Sequence, residues 1–241
     1  MHATAAPATG NDARSHPPSN GRANGANHGQ PRGQHPSSSH KPHRHRPSTQ
    51  HDEPFVYPLT LSLSPSLHDS LNTLRSHYFP RHRLKVPAHL TLFHALPHSE
   101  LDRLVIPTLE KAASETRSWE VKTGEVFKLG NQGVAVAPAK GESTDEGAKL
   151  HARLRREWEG FLSKQDAKGF KAHWTVQNKV QPGDDGKESE KVAQCFEEVS
   201  KWTKEEGAVG RAEGVVLWRY EKDGTWTLVK EFQFVGGGHG K

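Results

Sequence analysis

Regular hydrophobic periodicity begins near Pro54 and continues almost to the end of the chain. Phe55 to Leu63 alternates apolar and polar residues closely enough for a strand, and Pro58 within it predicts an edge position, because proline has no N–H to give to a ladder. Ser64-Pro65 then opens a helix with Leu67, Leu71, Leu74 and Tyr78 on one face. Pro80 and Pro87 bracket a connection, after which His89 to Leu96 reads as a strand stopped by Pro97. Ser99 with Asp102 has the look of an N-cap, and Leu101, Leu104, Val105 and Leu109 supply the stripe of a second helix. Trp119 to Leu129 and Gly133 to Ala137 are predicted strands, joined by a Gly-Asn-Gln-Gly turn. A helix with Leu150, Leu154, Trp158 and Phe161 on one face follows from about Thr144 to Ser163, then a short strand, Ala172 to Val180. A fourth helix covers about Glu188 to Glu206. Gly214 to Tyr220 and Thr225 to Phe234 form a hairpin around Lys222-Asp223-Gly224.

The second half of this order loosely echoes the first. In each, a helix precedes a strand carrying His-x-Thr, and a helix and a hairpin follow. Such a duplication predicts two lobes around a cleft, and strands that end in hairpins favour an antiparallel α+β fold over a doubly wound parallel sheet.

Composition changes the picture mainly at the amino terminus. Residues 1–50 are Gly, Pro, Ser, Asn and His with almost no large apolar side chain, and such a segment buries too little surface to offset its ordering entropy. It is read as a disordered tail, 51–236 as the folded domain and 237–241 as a flexible end. The tail holds Arg14, Arg22, Arg32, Lys41, Arg44 and Arg46 against Asp12 alone, so it carries the whole formal charge of +5 and the rest of the chain is neutral. The basic balance therefore does not argue for a nucleic-acid-binding surface on the folded part. The tail histidines imply no fixed metal geometry. Cys195 is the single cysteine, which fits a reducing compartment, and its spacing with Val192, Val199 and Trp202 places it on a buried helix face. No apolar run approaches the ~18 residues of a membrane span, and no signal peptide is evident, so cytoplasm or nucleus is the expected location.

The candidate chemistry lies in Pro87-Ala88-His89-Leu90-Thr91-Leu92-Phe93 and Lys171-Ala172-His173-Trp174-Thr175-Val176-Gln177. Strand alternation puts His89 with Thr91, and His173 with Thr175, on one face of each strand, and Leu90 and Trp174 on the other. Two imidazoles flanking a phosphodiester are able to divide the acid and base roles, and threonine hydroxyls to donate to the non-bridging oxygens. The scheme needs no metal and no cofactor. A lone His-x-Ser/Thr is cheap: it also occurs at His2, His35 and His68. Two copies on strands, in matching places of a weak repeat, are not.

These two motifs resemble those of the 2H phosphoesterase superfamily, in the 2′-5′ RNA ligase-like group that includes cyclic phosphodiesterases. The resemblance covers about residues 54–235. It implies a two-lobed α+β fold, with two antiparallel sheets facing a central cleft and helices outside. It also implies His89 and Thr91 from one lobe opposing His173 and Thr175 from the other. The implied substrates are 2′,3′- or 1″,2″-cyclic nucleotide phosphates and 2′-5′-linked RNA ends, acted on by a monomer. The alternative is a non-catalytic module that binds a nucleotide or RNA end in the same cleft.

By alternation, Phe93 shares the His89 face and is a candidate for base stacking, and Gln177 and Lys179 share the His173 face and are candidates for phosphate or ribose contact. Arg81, His82, Arg83 and Lys85 are expected to be a solvated basic loop, His94 a structural or exposed histidine, and Trp174 core.

Overall fold

The computed structural model describes residues 46–183 and 187–237. The expected tail lies almost wholly outside the described residues, as do 238–241. Its last five positions are described and pack onto the domain: Pro47 is buried, and the Ser48 N–H donates to the Phe161 carbonyl at 2.9 Å. The folded part thus begins before the expected boundary at 51, because a buried proline and one backbone hydrogen bond suffice to pin an extended segment.

The elements are β1 (Val56–Leu63), α1 (Pro65–Tyr78), β2 (Thr91–Pro97), α2 (Ile106–Glu115), β3 (Trp119–Lys128), β4 (Val134–Pro138), α3 (Glu142–Trp158), β5 (Trp174–Gln177), α4 (Glu190–Glu205), β6 (Val209–Tyr220) and β7 (Trp226–Gln233). Every pair of these strands is antiparallel, so the α+β class expected from the hairpins holds.

The strands follow one path, β2-β1-β6-β3-β4-β5, with β7 also on β6. The halves meet in β3. Its first residues, Trp119 to Lys122, pair with β6, and from Thr123 onward it pairs with β4. A register shift between Thr123 and Val126 marks the crossing, and Gly124 sits in it, where a Cβ would lie 2.7 Å from the Ala139 backbone. The far ends of the path then come together: Leu90, just before β2, forms an antiparallel bridge with Trp174, the first residue of β5. The middle residues of the two motifs are therefore paired.

Two local expectations are corrected. Pro58 does not mark an edge, because β1 lies between β2 and β6. Its missing N–H is tolerated because the pairing with β2 shifts register between Tyr57 and Leu59, and the pairing with β6 starts only at Leu59. Ser99 is not a helix cap; its N–H and hydroxyl both donate to the Glu53 carboxylate. The helix instead enters through a 3₁₀ turn and a wide turn at Leu101–Val105, where the Ile106 N–H reaches back to the Leu101 carbonyl. Pro107 follows directly, with no N–H to give and a ring that crowds the carbonyl four residues before it.

The core runs along the whole sheet. Leu67 and Leu71 of α1, Val192, Cys195 and Val199 of α4, Leu109 of α2 and Leu154 and Trp158 of α3 are all buried. Trp174 is fully buried, as its place opposite His173 and Thr175 on the strand predicts. None of the described helices is long and apolar enough to cross a membrane.

Candidate active site

The Leu90–Trp174 bridge fixes the geometry of the two motifs. In its antiparallel register His89 lies opposite Thr175, and Thr91 opposite His173. Cross-strand partners share a face, so all four polar side chains project to one side, while Leu90 and Trp174 anchor the other in the core. Burying a side chain such as Leu90 stabilises by roughly 2 kcal/mol, and the four polar residues stay half-buried.

The two histidines are held in the same way. His89 Nδ1 lies 2.7 Å from the Pro87 carbonyl, and His173 Nδ1 lies 2.8 Å from the Lys171 carbonyl. A carbonyl only accepts, so each Nδ1 carries the proton and each Nε2 is left with a lone pair when the ring is neutral. The rings have different neighbours. His89 packs against Trp226 of β7, ring centres 4.6 Å apart, and Trp226 lies 6.2 Å from Trp218 of β6. His173 meets Phe127 of β3 edge-on at 5.9 Å. Trp218 donates its indole N–H to the Thr60 hydroxyl at 2.9 Å, and Thr60 is the cross-strand partner of Thr91, which ties this aromatic wall to the site.

Burial pushes the His89 imidazole down to about 4. The bond to Pro87 opposes this, and the charges of Arg75, His94 and His173 add to it. Arg75, on α1, is buried. It donates from Nε to the Val86 carbonyl (3.2 Å) and from a terminal nitrogen to the Thr175 carbonyl (2.5 Å), and lies 4.0 Å from the Phe79 ring centre. Burial pushes its guanidinium down to about 10, so it remains charged at neutral pH.

Two expected contacts are overturned, and the strand argument for a third does not apply. Phe93 is fully buried, stacked on His151 and edge-on to Trp158 of α3. Gln177 is buried too and donates to the Lys191 carbonyl at 3.2 Å. The cause is the same in both strands. Along β1, Leu59 pairs with Phe93 and Thr60 with Thr91; along β4, Val134 pairs with Gln177 and Ala135 with Thr175. Each motif strand thus carries one extra residue, Leu92 or Val176, just after its threonine, and the residue beyond it turns to the opposite face. Lys179 lies past the end of β5, exposed, with φ of 59°. Strand alternation does not reach it, so the face it was expected to share with His173 is lost.

The sequence reading missed Arg75, Trp226 and Phe127. Arg75 follows Leu67 by eight and Leu71 by four, the spacing of the buried face of α1, and a cation in that stripe is a readable signal. Trp226 is opposite Tyr220 in the β6–β7 register, a pairing the turn at 222–224 suggests but does not fix. His94 is satisfied as expected: its Nδ1 is 2.9 Å from Asp166 Oδ1. The Arg81–Arg83 turn is exposed, as a solvated loop should be. Among the described residues no group of three or more His, Cys, Asp or Glu is placed to hold a metal.

The family model of the 2′-5′ RNA ligase superfamily matches residues 63–224, which includes both motifs. No curated protein matches the chain. Among solved structures, the chain is similar to TT0787 of Thermus thermophilus, at 17% identity and a TM-score of 0.52 over 74% of this chain and 97% of that one. It is similar to a protein described as a phosphoesterase, at 12% identity and a TM-score of 0.50 over 76% and 99%. It also matches E. coli LigT in complex with phosphate, at 13% identity and a TM-score of 0.48 over 76% and 99%.

Proposed function

Because the chain belongs to the 2′-5′ RNA ligase superfamily, we propose that it is a phosphodiesterase using His89 and His173 as an acid–base pair on cyclic nucleotide phosphates, 2′,3′ or 1″,2″, or on 2′-5′-linked RNA ends. The observation that carries this reading is the matched pair of Nδ1–carbonyl bonds on either side of one strand bridge. Both leave Nε2 as the working nitrogen.

His89 is the base in this scheme. Its depressed titration keeps it neutral at physiological pH, and neutral Nε2 takes the proton of an attacking water. The water oxygen bonds to phosphorus as the bond to the leaving ribose oxygen breaks, and protonated His173 supplies the proton that oxygen needs. Thr91 and Thr175 donate to the non-bridging oxygens as charge develops there. Trp226 and Trp218 offer apolar surface to the nucleoside beside His89. No step requires a metal.

The test is a panel of nucleoside 2′,3′-cyclic phosphates, ADP-ribose 1″,2″-cyclic phosphate and 2′-5′ dinucleotides, with EDTA present. Turnover should survive EDTA, and His89→Ala and His173→Ala should each lose at least ~10²-fold, the usual contribution of a positioned acid or base. Full activity in both variants would sink the mechanism. Stoichiometric binding without product would replace it by a nucleotide- or RNA-end-binding module.

A further inference from the structure

Arg75 is a charged side chain in a place where an apolar one would pack. It is 5% exposed, and no carboxylate among the described residues pairs with it. A buried cation without a counter-ion costs stability, and a well-packed apolar replacement is often neutral or better. Its hydrogen bonds explain what it does there. Val86 precedes the Pro87-Ala88-His89 run, and Thr175 is the threonine of the second motif. Beside the Leu90–Trp174 bridge, the guanidinium ties the segment leading to His89 to β5, and unlike the bridge it brings a fixed positive charge.

We propose that Arg75 is a positioning residue that clamps the segment leading to His89 onto β5 through the Val86 and Thr175 carbonyls, and so brings a fixed positive charge to the paired motifs. The planar guanidinium suits this task, since two of its N–H groups reach two carbonyls in a fixed fork, whereas an ammonium is a point charge. The charges acting on His89 are those of Arg75 from α1, His94 from β2 and His173 from the approach to β5, and all three are basic. Arg75 keeps its charge throughout the neutral range. Its support of turnover rests on the acid–base reading above; its effect on His89 does not.

The experiment compares the full chain with Arg75→Met and Arg75→Lys. The His89 ring is titrated by NMR, and kcat is measured on the best substrate of the panel. Arg75→Met should raise the His89 midpoint, because a like charge has been removed while the burial that dominates the shift is kept. Arg75→Lys should leave that midpoint near the wild-type value but lower kcat at least ~10-fold, because the fork is lost while the charge is kept. An unmoved His89 midpoint in folded Arg75→Met overturns the electrostatic role, and wild-type kcat in Arg75→Lys overturns the clamp. A merely structural residue would lower stability in both variants without separating the two readouts. If Arg75→Met does not fold, Arg75→Gln takes its place in the titration. If no substrate is turned over by the wild type, the phosphodiesterase reading fails, and the titration still decides for or against Arg75.

Discussion

An imidazole whose Nδ1 is committed to a carbonyl has one nitrogen left for chemistry, and both motif histidines are in that state. In their neutral forms each should carry its proton on Nδ1. Long-range ¹H–¹⁵N spectra of the ring nitrogens read this directly, and an Nε2–H tautomer at either residue would contradict it. With His89 as base, the acid limb of kcat/KM follows its titration. Activity should hold as pH falls through 6 and decline only near about 4, where Nε2 gains a proton. A limb near the ordinary histidine value of about 6.5 would remove His89 from the base role. Thr91→Val and Thr175→Val delete one donor each and keep the shape of the side chain. Each should lower kcat by roughly 10²- to 10³-fold with little change in thermal midpoint, as loss of a single donor to developing charge does elsewhere. Equal activity in both would leave the phosphate oxygens without the proposed donors.

At the scale of strands, the sequence and the structure part company where the register shifts and, at Lys179, where the strand has already ended. Alternation puts His89, Thr91, His173 and Thr175 on one face and Leu90 and Trp174 on the other, and the burial of Leu90 and Trp174 across their single bridge agrees with that division. It failed at Phe93 and Gln177, each just beyond an extra residue that shifts the face by one. A bulge leaves no signature here that a single sequence displays, since Leu92 and Val176 look like ordinary strand residues. Pro58 misled for the related reason that a shift of register hides its missing N–H. The helix ends were legible where proline acts locally, as at Pro65, and not at Ser99, whose hydroxyl is taken by Glu53 from far along the chain. The close approach of β4 to β5 rests on Gly133, where a Cβ would sit 2.1 Å from the Gln177 carbonyl oxygen. Gly133→Ala should therefore push β5 away, costing about 1–3 kcal/mol and carrying Thr175 and His173 with it. Gly160→Ala, with nothing within 4 Å of the new Cβ, is the matched control. Denaturant midpoints and kcat should both fall in the first and hold in the second; equal behaviour would mean that β5 is not placed by that contact.

For the molecule as a whole, closing the ends of the sheet at Leu90–Trp174 places the site over a continuous core, and that core contains a second buried imidazole. His151 of α3 is 4% exposed, stacked between Phe93, at 4.6 Å, and Phe170, at 5.1 Å. Burial pushes it down to about 4; Asp166 opposes that, and Arg155 and His94 add to it. Phe93, which the sequence offered as a base-stacking residue, instead closes this sandwich. A histidine depressed in the fold binds fewer protons than its unfolded counterpart between about 4 and about 6.5. Stability should thus be constant in this respect above about 6.5, fall as pH drops through that window, and level off below about 4. For His151 the shift corresponds to on the order of 3 kcal/mol. His89 titrates over the same range and adds to the slope, by less because it is half-exposed to solvent. His151→Phe keeps an aromatic ring in the sandwich and removes the titration. Unfolding free energies from urea melts at pH 7, 5.5 and 4 should fall steeply for the wild type and less steeply for His151→Phe, whatever the offset between them at pH 7. Parallel curves for the two proteins would show that the imidazole is not neutral in the fold, and that the sandwich of Phe93 and Phe170 tolerates its charge.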